Sequence, residues 1–205
     1  MFLRRVRRSL VVGALVGSLA GCGSMTPAMP NPVTEPVIDQ PGSTIYRYRD
    51  SVIEVVIDTT FADANPGEPW LILNVAFSGM TGGASQVKRD MVSVRTPDGR
   101  TIPLPSYREF LADFDTELAA AARRAALAGQ PLDFTRANRR ECALDFMPLP
   151  GSGRSARTAL NVTKRELCVG TLYFPVAGGV QPGRWNLMLE FAETDAVVPF
   201  TLGDR

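Results

Sequence analysis

The sequence predicts a mainly β domain, an antiparallel sandwich interrupted once by a helix. Three observations lead there. Runs such as Trp70 to Phe77 and Trp185 to Phe191 alternate large apolar residues with smaller or polar ones, the period of a strand with one face on a core. Turn chemistry recurs between such runs, at Asn65-Pro66-Gly67, Pro97-Asp98-Gly99 and Pro182-Gly183. In one stretch only, from Ser106 to about Gly129, the apolar spacing changes to three and four.

In chain order, Tyr46 and Tyr48 point one way and Arg47 and Arg49 the other, and the β-branched run Val52 to Ile57 follows, so two short strands are expected. Trp70 to Phe77 sets Leu71, Leu73, Val75 and Phe77 against Asn74, Ala76 and Ser78, a half-buried strand. Met91 to Thr96 and Arg100 to Leu104 flank Pro97-Asp98-Gly99 and read as a hairpin, because Pro presets φ and Gly accepts positive φ. Ser106-Tyr107-Arg108-Glu109 is a capping box. Phe110, Leu111, Phe114, Leu118, Ala122 and Ala125 then share a face until Gly129 and Pro131, which predicts one helix of about five to six turns. Its bulky first half is expected on the sheet, its alanine-rich second half at the surface, and the whole as a cover over an open edge or end of the sandwich.

After the helix, Cys142, Leu144 and Phe146 are placed inward with Glu141 and Asp145 outward, and Leu167 to Val176 forms a longer strand containing Cys168. Pro148 to Ala156 reads as an exposed loop. Trp185 to Phe191 and Ala196 to Leu202 close the chain, for eight or nine strands in all. The Pro-Gly-x-aromatic-x-Leu-x-Leu run from Pro182 resembles the late strands of immunoglobulin-like domains, and that resemblance spans Tyr46 to Leu202. It implies an immunoglobulin-like antiparallel β-sandwich with one helical insertion at about 106–129. No Trp lies between Cys142 and Cys168, unlike the spacing of antibody domains, and the helix is extra to the standard fold.

The N-terminus carries Arg4, Arg5, Arg7 and Arg8 before the apolar stretch Leu10 to Leu19, which is the layout of an export signal and is too short to span a bilayer. Leu19-Ala20-Gly21-Cys22 resembles the lipobox of bacterial lipoproteins. The resemblance implies cleavage before Cys22, a diacylglycerol on its thiol and an acylated amine; the alternative is an ordinary secretory signal. It divides the chain into a signal at 1–21, a lipidated, proline-rich flexible linker at 22–44 and a sandwich domain at 45–205. Gly23 stands where enterobacterial lipoproteins kept at the inner membrane have Asp, so the resemblance implies an outer-membrane anchor with the domain facing the periplasm.

Removal of 1–21 takes four of the 22 Lys and Arg and none of the 21 Asp and Glu, leaving about −3, which argues against a nucleic-acid partner. In an oxidising compartment the two remaining cysteines, Cys142 and Cys168, are expected to pair. There is no histidine, so Ser-His and Cys-His nucleophiles and the usual zinc sites are unavailable; Lys88 and Lys164, the only lysines, lie in no Ser-x-x-Lys motif. Asp113, Asp115 and Glu117 read as a solvated helix face rather than a metal or glycosidase cluster. No catalytic residue, metal or cofactor is expected.

The expected role is a non-catalytic binding or assembly module, held by lipid and meeting another envelope protein. A second reading, similar in location and build to the lipoprotein of type VI secretion, is a structural part of a secretion complex. A third is a carrier of a small apolar ligand, recognisable by an enclosed cavity beneath Phe110 and Phe114. Arg136, Arg139 and Arg140 form a candidate partner patch, against the plainer reading of solvated loop arginines.

Overall fold

A computed structural model describes residues 35–129, 132, 139–191 and 195–203. The expected signal segment, Cys22 and most of the expected linker lie outside them. The fold is a β-sandwich with a helical insertion, built from twelve strands and three α-helices among the described residues. Strands β1 (Val37–Gly42), β2 (Ile45–Arg49), β3 (Ile53–Asp58), β4 (Trp70–Gly79), β10 (Glu166–Pro175) and β8 (Arg140–Ala143) lie in that order in a six-stranded sheet. A four-stranded sheet has the order β12 (Asp195–Leu202), β11 (Gly183–Glu190), β6 (Val92–Arg95), β7 (Thr101–Pro103), and β5 (Ser85–Lys88) pairs with β9 (Ala159–Val162). All pairs are antiparallel except β8 with β10.

The alternation patterns become the two inner faces. Leu71, Leu73, Val75 and Phe77 of β4, with Val55 and Ile57 beside them, are fully buried, as are Trp185, Leu187 and Leu189 of β11, cross-paired with Phe200, Val198 and Ala196. Burial of each such side chain contributes about 1.5–3 kcal/mol. The Pro97-Asp98-Gly99 turn joins β6 and β7 with Gly99 at φ 87°, as its chemistry requires.

The linker expectation ends too late. Val37–Gly42 is an edge strand paired with β2, and Asp39 is ion-paired with Arg47. An edge tolerates Pro41, which has no N–H for a ladder bond, so the proline-rich composition concealed a strand. The short strands β5 and β9 and the helix α1 (Thr60–Ala64) also carry too few residues to show a period.

The predicted single helix is two, α2 (Tyr107–Ala112) and α3 (Thr116–Ala128). The capping box forms: Ser106 Oγ accepts from Glu109 N at 3.2 Å and Glu109 Oε2 from Ser106 N at 2.7 Å. The break comes from Asp115, whose extended backbone and Oδ1 accepting Leu118 N at 2.8 Å start a second helix, the preference of Asp for an N-cap winning over continuation. Asp113 caps the end of α2, so these two carboxylates mark helix ends rather than one helix face.

Nor does the insertion cover an edge or an end. It lies on the outer face of the six-stranded sheet, so β4 is buried on both faces instead of one, with only Asn74 half-exposed. The alanine-rich half is packed, not superficial: Ala121, Ala122 and Ala125 are buried. Their small size brings the helix close enough for Asn74 Nδ2 to donate to Ala125 O at 3.4 Å, while Asn74 Oδ1 accepts from Thr171 Oγ1 at 3.0 Å. Leu132 joins Ile45, Val56, Ala76 and Leu167 in a second apolar cluster on this same outer side. Asp145, expected outward, is buried, its carbonyl accepting Arg157 N at 2.7 Å and its carboxylate meeting Arg154 at 3.2 Å.

Candidate cationic surface

The expected arginine patch divides in the structure. Arg136 lies outside the described residues. Arg139 turns onto the sheet, where its Nη1 donates to Glu54 Oε2 at 2.5 Å, and Arg49 Nη2 donates to the other oxygen at 2.7 Å. Burial opposes the ionisation of Glu54, and the hydrogen bonds from Arg49 and Arg139 outweigh it, so the carboxyl is held below its ordinary range. Arg139 is therefore a structural residue.

Arg140 remains exposed, and the fold supplies it with new neighbours. Its backbone N–H donates to Arg165 O at 2.8 Å, bringing the start of β8 against the β9–β10 turn, where Lys164 and Arg165 are exposed. A shallow hollow between them is lined by Arg140, Thr163, Arg165 and Glu166.

Three features hold this turn. Glu166 N donates to Thr163 O at 3.2 Å while Thr163 Oγ1 donates to Glu166 Oε2 at 3.0 Å, which occupies that carboxylate. Ser78 Oγ donates to Glu166 O at 2.8 Å. Gly79 N donates to Thr163 O at 3.2 Å, and a side chain at Gly79 would place its Cβ 2.7 Å from Val162 O, so the close approach requires glycine.

The register of β8 is set by its cystine. Cys142 and Cys168 stand opposite each other in the parallel pair and are bonded, with Cα atoms 4.3 Å apart, just under the usual span of a disulfide. The same register puts Arg140 beside Glu166. Among the described residues none of Arg140, Lys164 and Arg165 pairs with a carboxylate. Composition did not reveal this cluster, because Arg140 lies more than twenty positions from Lys164 and Arg165 and only the β8–β10 pairing joins them.

At the place expected for an apolar ligand the chain packs an aromatic cluster. Phe110 is fully buried, with ring centroids at 5.0 Å from Tyr173, 5.4 Å from Phe114, 6.1 Å from Tyr107 and 6.2 Å from Trp70. Burial raises the Tyr173 hydroxyl to about 12 despite its hydrogen-bonding with Thr171. Beside this cluster an open cleft runs along Pro69, Trp70, Asp113 and Pro175.

Among the described residues no three His, Cys, Asp or Glu side chains are grouped as metal ligands, and no helix is long and apolar enough to cross a membrane. No protein-family model matches the chain, and no curated protein and no solved structure is significantly similar to it.

Proposed function

We propose that this chain is an exported, lipid-anchored envelope protein whose sandwich domain serves as a non-catalytic binding or assembly module. The observation that carries the proposal is the Cys142–Cys168 cystine. Such bonds persist in oxidising compartments and are rare in the cytosol, which supports export. The arginine-led apolar segment ending at Cys22 supports the same address independently. The helical insertion covers the outer face of the sheet and Phe110 is fully buried among aromatic rings, which supports a role for the domain's surface over that of a carrier. The experiment is metabolic labelling with palmitate of the native chain and of Cys22→Ser, followed by membrane fractionation and capture of associated envelope proteins. Label in the native chain only, together with a partner recovered reproducibly from the outer-membrane fraction, is the expected result. Label retained by Cys22→Ser overturns the anchor.

A further inference from the structure

We infer that the end of the sandwich bearing Arg140, Lys164 and Arg165 is a docking surface for the phosphate-bearing headgroups of an anionic bilayer, and so orients the domain on its own membrane. The inference rests on the lipid-anchor reading for its direction and on the following geometry for its site. One lateral row of residues crosses the six-stranded sheet: Val37 pairs with Arg49, Arg49 with Glu54 and Glu54 with Ser78. Ser78 Oγ reaches Glu166 O at 2.8 Å, and Glu166 pairs with Arg140. Val37 opens β1, the first strand of the domain, and only 14 residues separate it from Cys22. The point where the tether enters and the cationic turn are thus at the same end of the sheet, about 24 Å apart at the usual strand spacing. A short tether to the bilayer presents that end to lipid.

The charges at this end suit an anionic surface. Of the acids, Glu54 is neutralised by two arginines, Asp50 is turned into its own loop by Val52 N, Ile53 N and the Tyr48 hydroxyl, Glu166 is held by Thr163 and Glu141 is also engaged, while Glu35 is exposed at the tether entry on the opposite side of the sheet from the cationic turn. The neighbouring exposed loop Thr81-Gly82-Gly83-Ala84 is uncharged. Among the described residues Arg140, Lys164 and Arg165 are left as exposed cations with no carboxylate partner, on a mature chain whose overall balance is negative. Basic clusters next to an anchor are attracted to anionic headgroups within about a Debye length.

The two lysines make the test self-calibrating. Lys88 and Lys164 are the only ones, both are exposed, and Lys88 lies at the far end of β5 from Ser85, the residue paired with Val162 next to the turn. The full chain, purified in detergent, is reconstituted into phosphatidylcholine vesicles with or without phosphatidylglycerol, and acylation of each lysine is read by mass spectrometry. The expected result is a fall of about threefold or more in Lys164 acylation relative to Lys88 when phosphatidylglycerol is present, reversed by high salt. Arg140→Gln/Arg165→Gln, which keeps Lys164 as reporter and alters no buried group, is expected to lose most of that protection. An equal Lys164 to Lys88 ratio in the two vesicles overturns the inference. So does equal protection by inorganic phosphate without vesicles, which makes the hollow a site for a soluble anion. Failure of the anchor reading shows separately, as a chain that does not associate with phosphatidylcholine vesicles at all, and the phosphatidylglycerol comparison still decides the patch.

Discussion

Arg139 and Glu54 lie 85 positions apart in the chain, yet the guanidinium of one donates to the nearly inaccessible carboxylate of the other at 2.5 Å. The bond ties the segment after the helices to the third strand of the sheet. Arg139→Ala leaves Glu54 with Arg49 alone and is expected to lower stability by about 2 kcal/mol, read from the denaturant midpoint.

The same carboxylate sets a pH dependence. The Glu54 carboxyl is held low in the folded chain, and so is that of Asp39 through its hydrogen bond from Arg47, so the unfolded chain binds protons more readily than the native one. The stability they contribute is complete above the ordinary carboxylate range, about pH 4–4.5, and is lost as pH falls through the depressed native values. Unfolding midpoints measured from pH 7 to pH 3 are expected to fall at the acid end, and Glu54→Gln to flatten that fall while lowering the neutral-pH midpoint.

For the cystine, native protein is expected to show no thiol accessible to alkylation until it is reduced. The Cys142→Ala/Cys168→Ala double variant is expected to lose about 2–5 kcal/mol. Because the bond sets the β8 register, the same variant should also show faster amide exchange at Arg140, whose N–H is held by Arg165 O.

Phe110 is the anchor of the insertion. Phe110→Ala is expected to cost about 3–5 kcal/mol, since four aromatic neighbours surround the ring and leave a cavity when it is removed.

A paired comparison tests how the alanine-rich helix packs. Ala125, 1% exposed, lies where α3 approaches Asn74, and Ala125→Leu is expected to destabilise by about 1–3 kcal/mol through overpacking. Leu127, 88% exposed on the same helix, is expected to tolerate Ala within about 0.5 kcal/mol. A surface position for the whole alanine run would make both changes neutral.

What the sequence by itself determined is local. Alternation at Trp70 to Phe77 and Trp185 to Phe191, the Pro97-Asp98-Gly99 turn and the Ser106 to Glu109 capping box each depend on neighbours within a few residues, so all appeared where expected. The cysteine pair was legible because only two candidates remained for it. Tertiary structure decided the rest. The edge strand Val37–Gly42 exists through pairing with β2 and Arg47, and no property of its own composition announces it. The small residues of α3 look superficial in sequence and are buried because small side chains are what a close helix–sheet approach selects. Arg139 and Arg140 are neighbours in sequence with opposite fates, one bound to Glu54 and the other left exposed beside Arg165, because successive positions at a strand point to opposite faces.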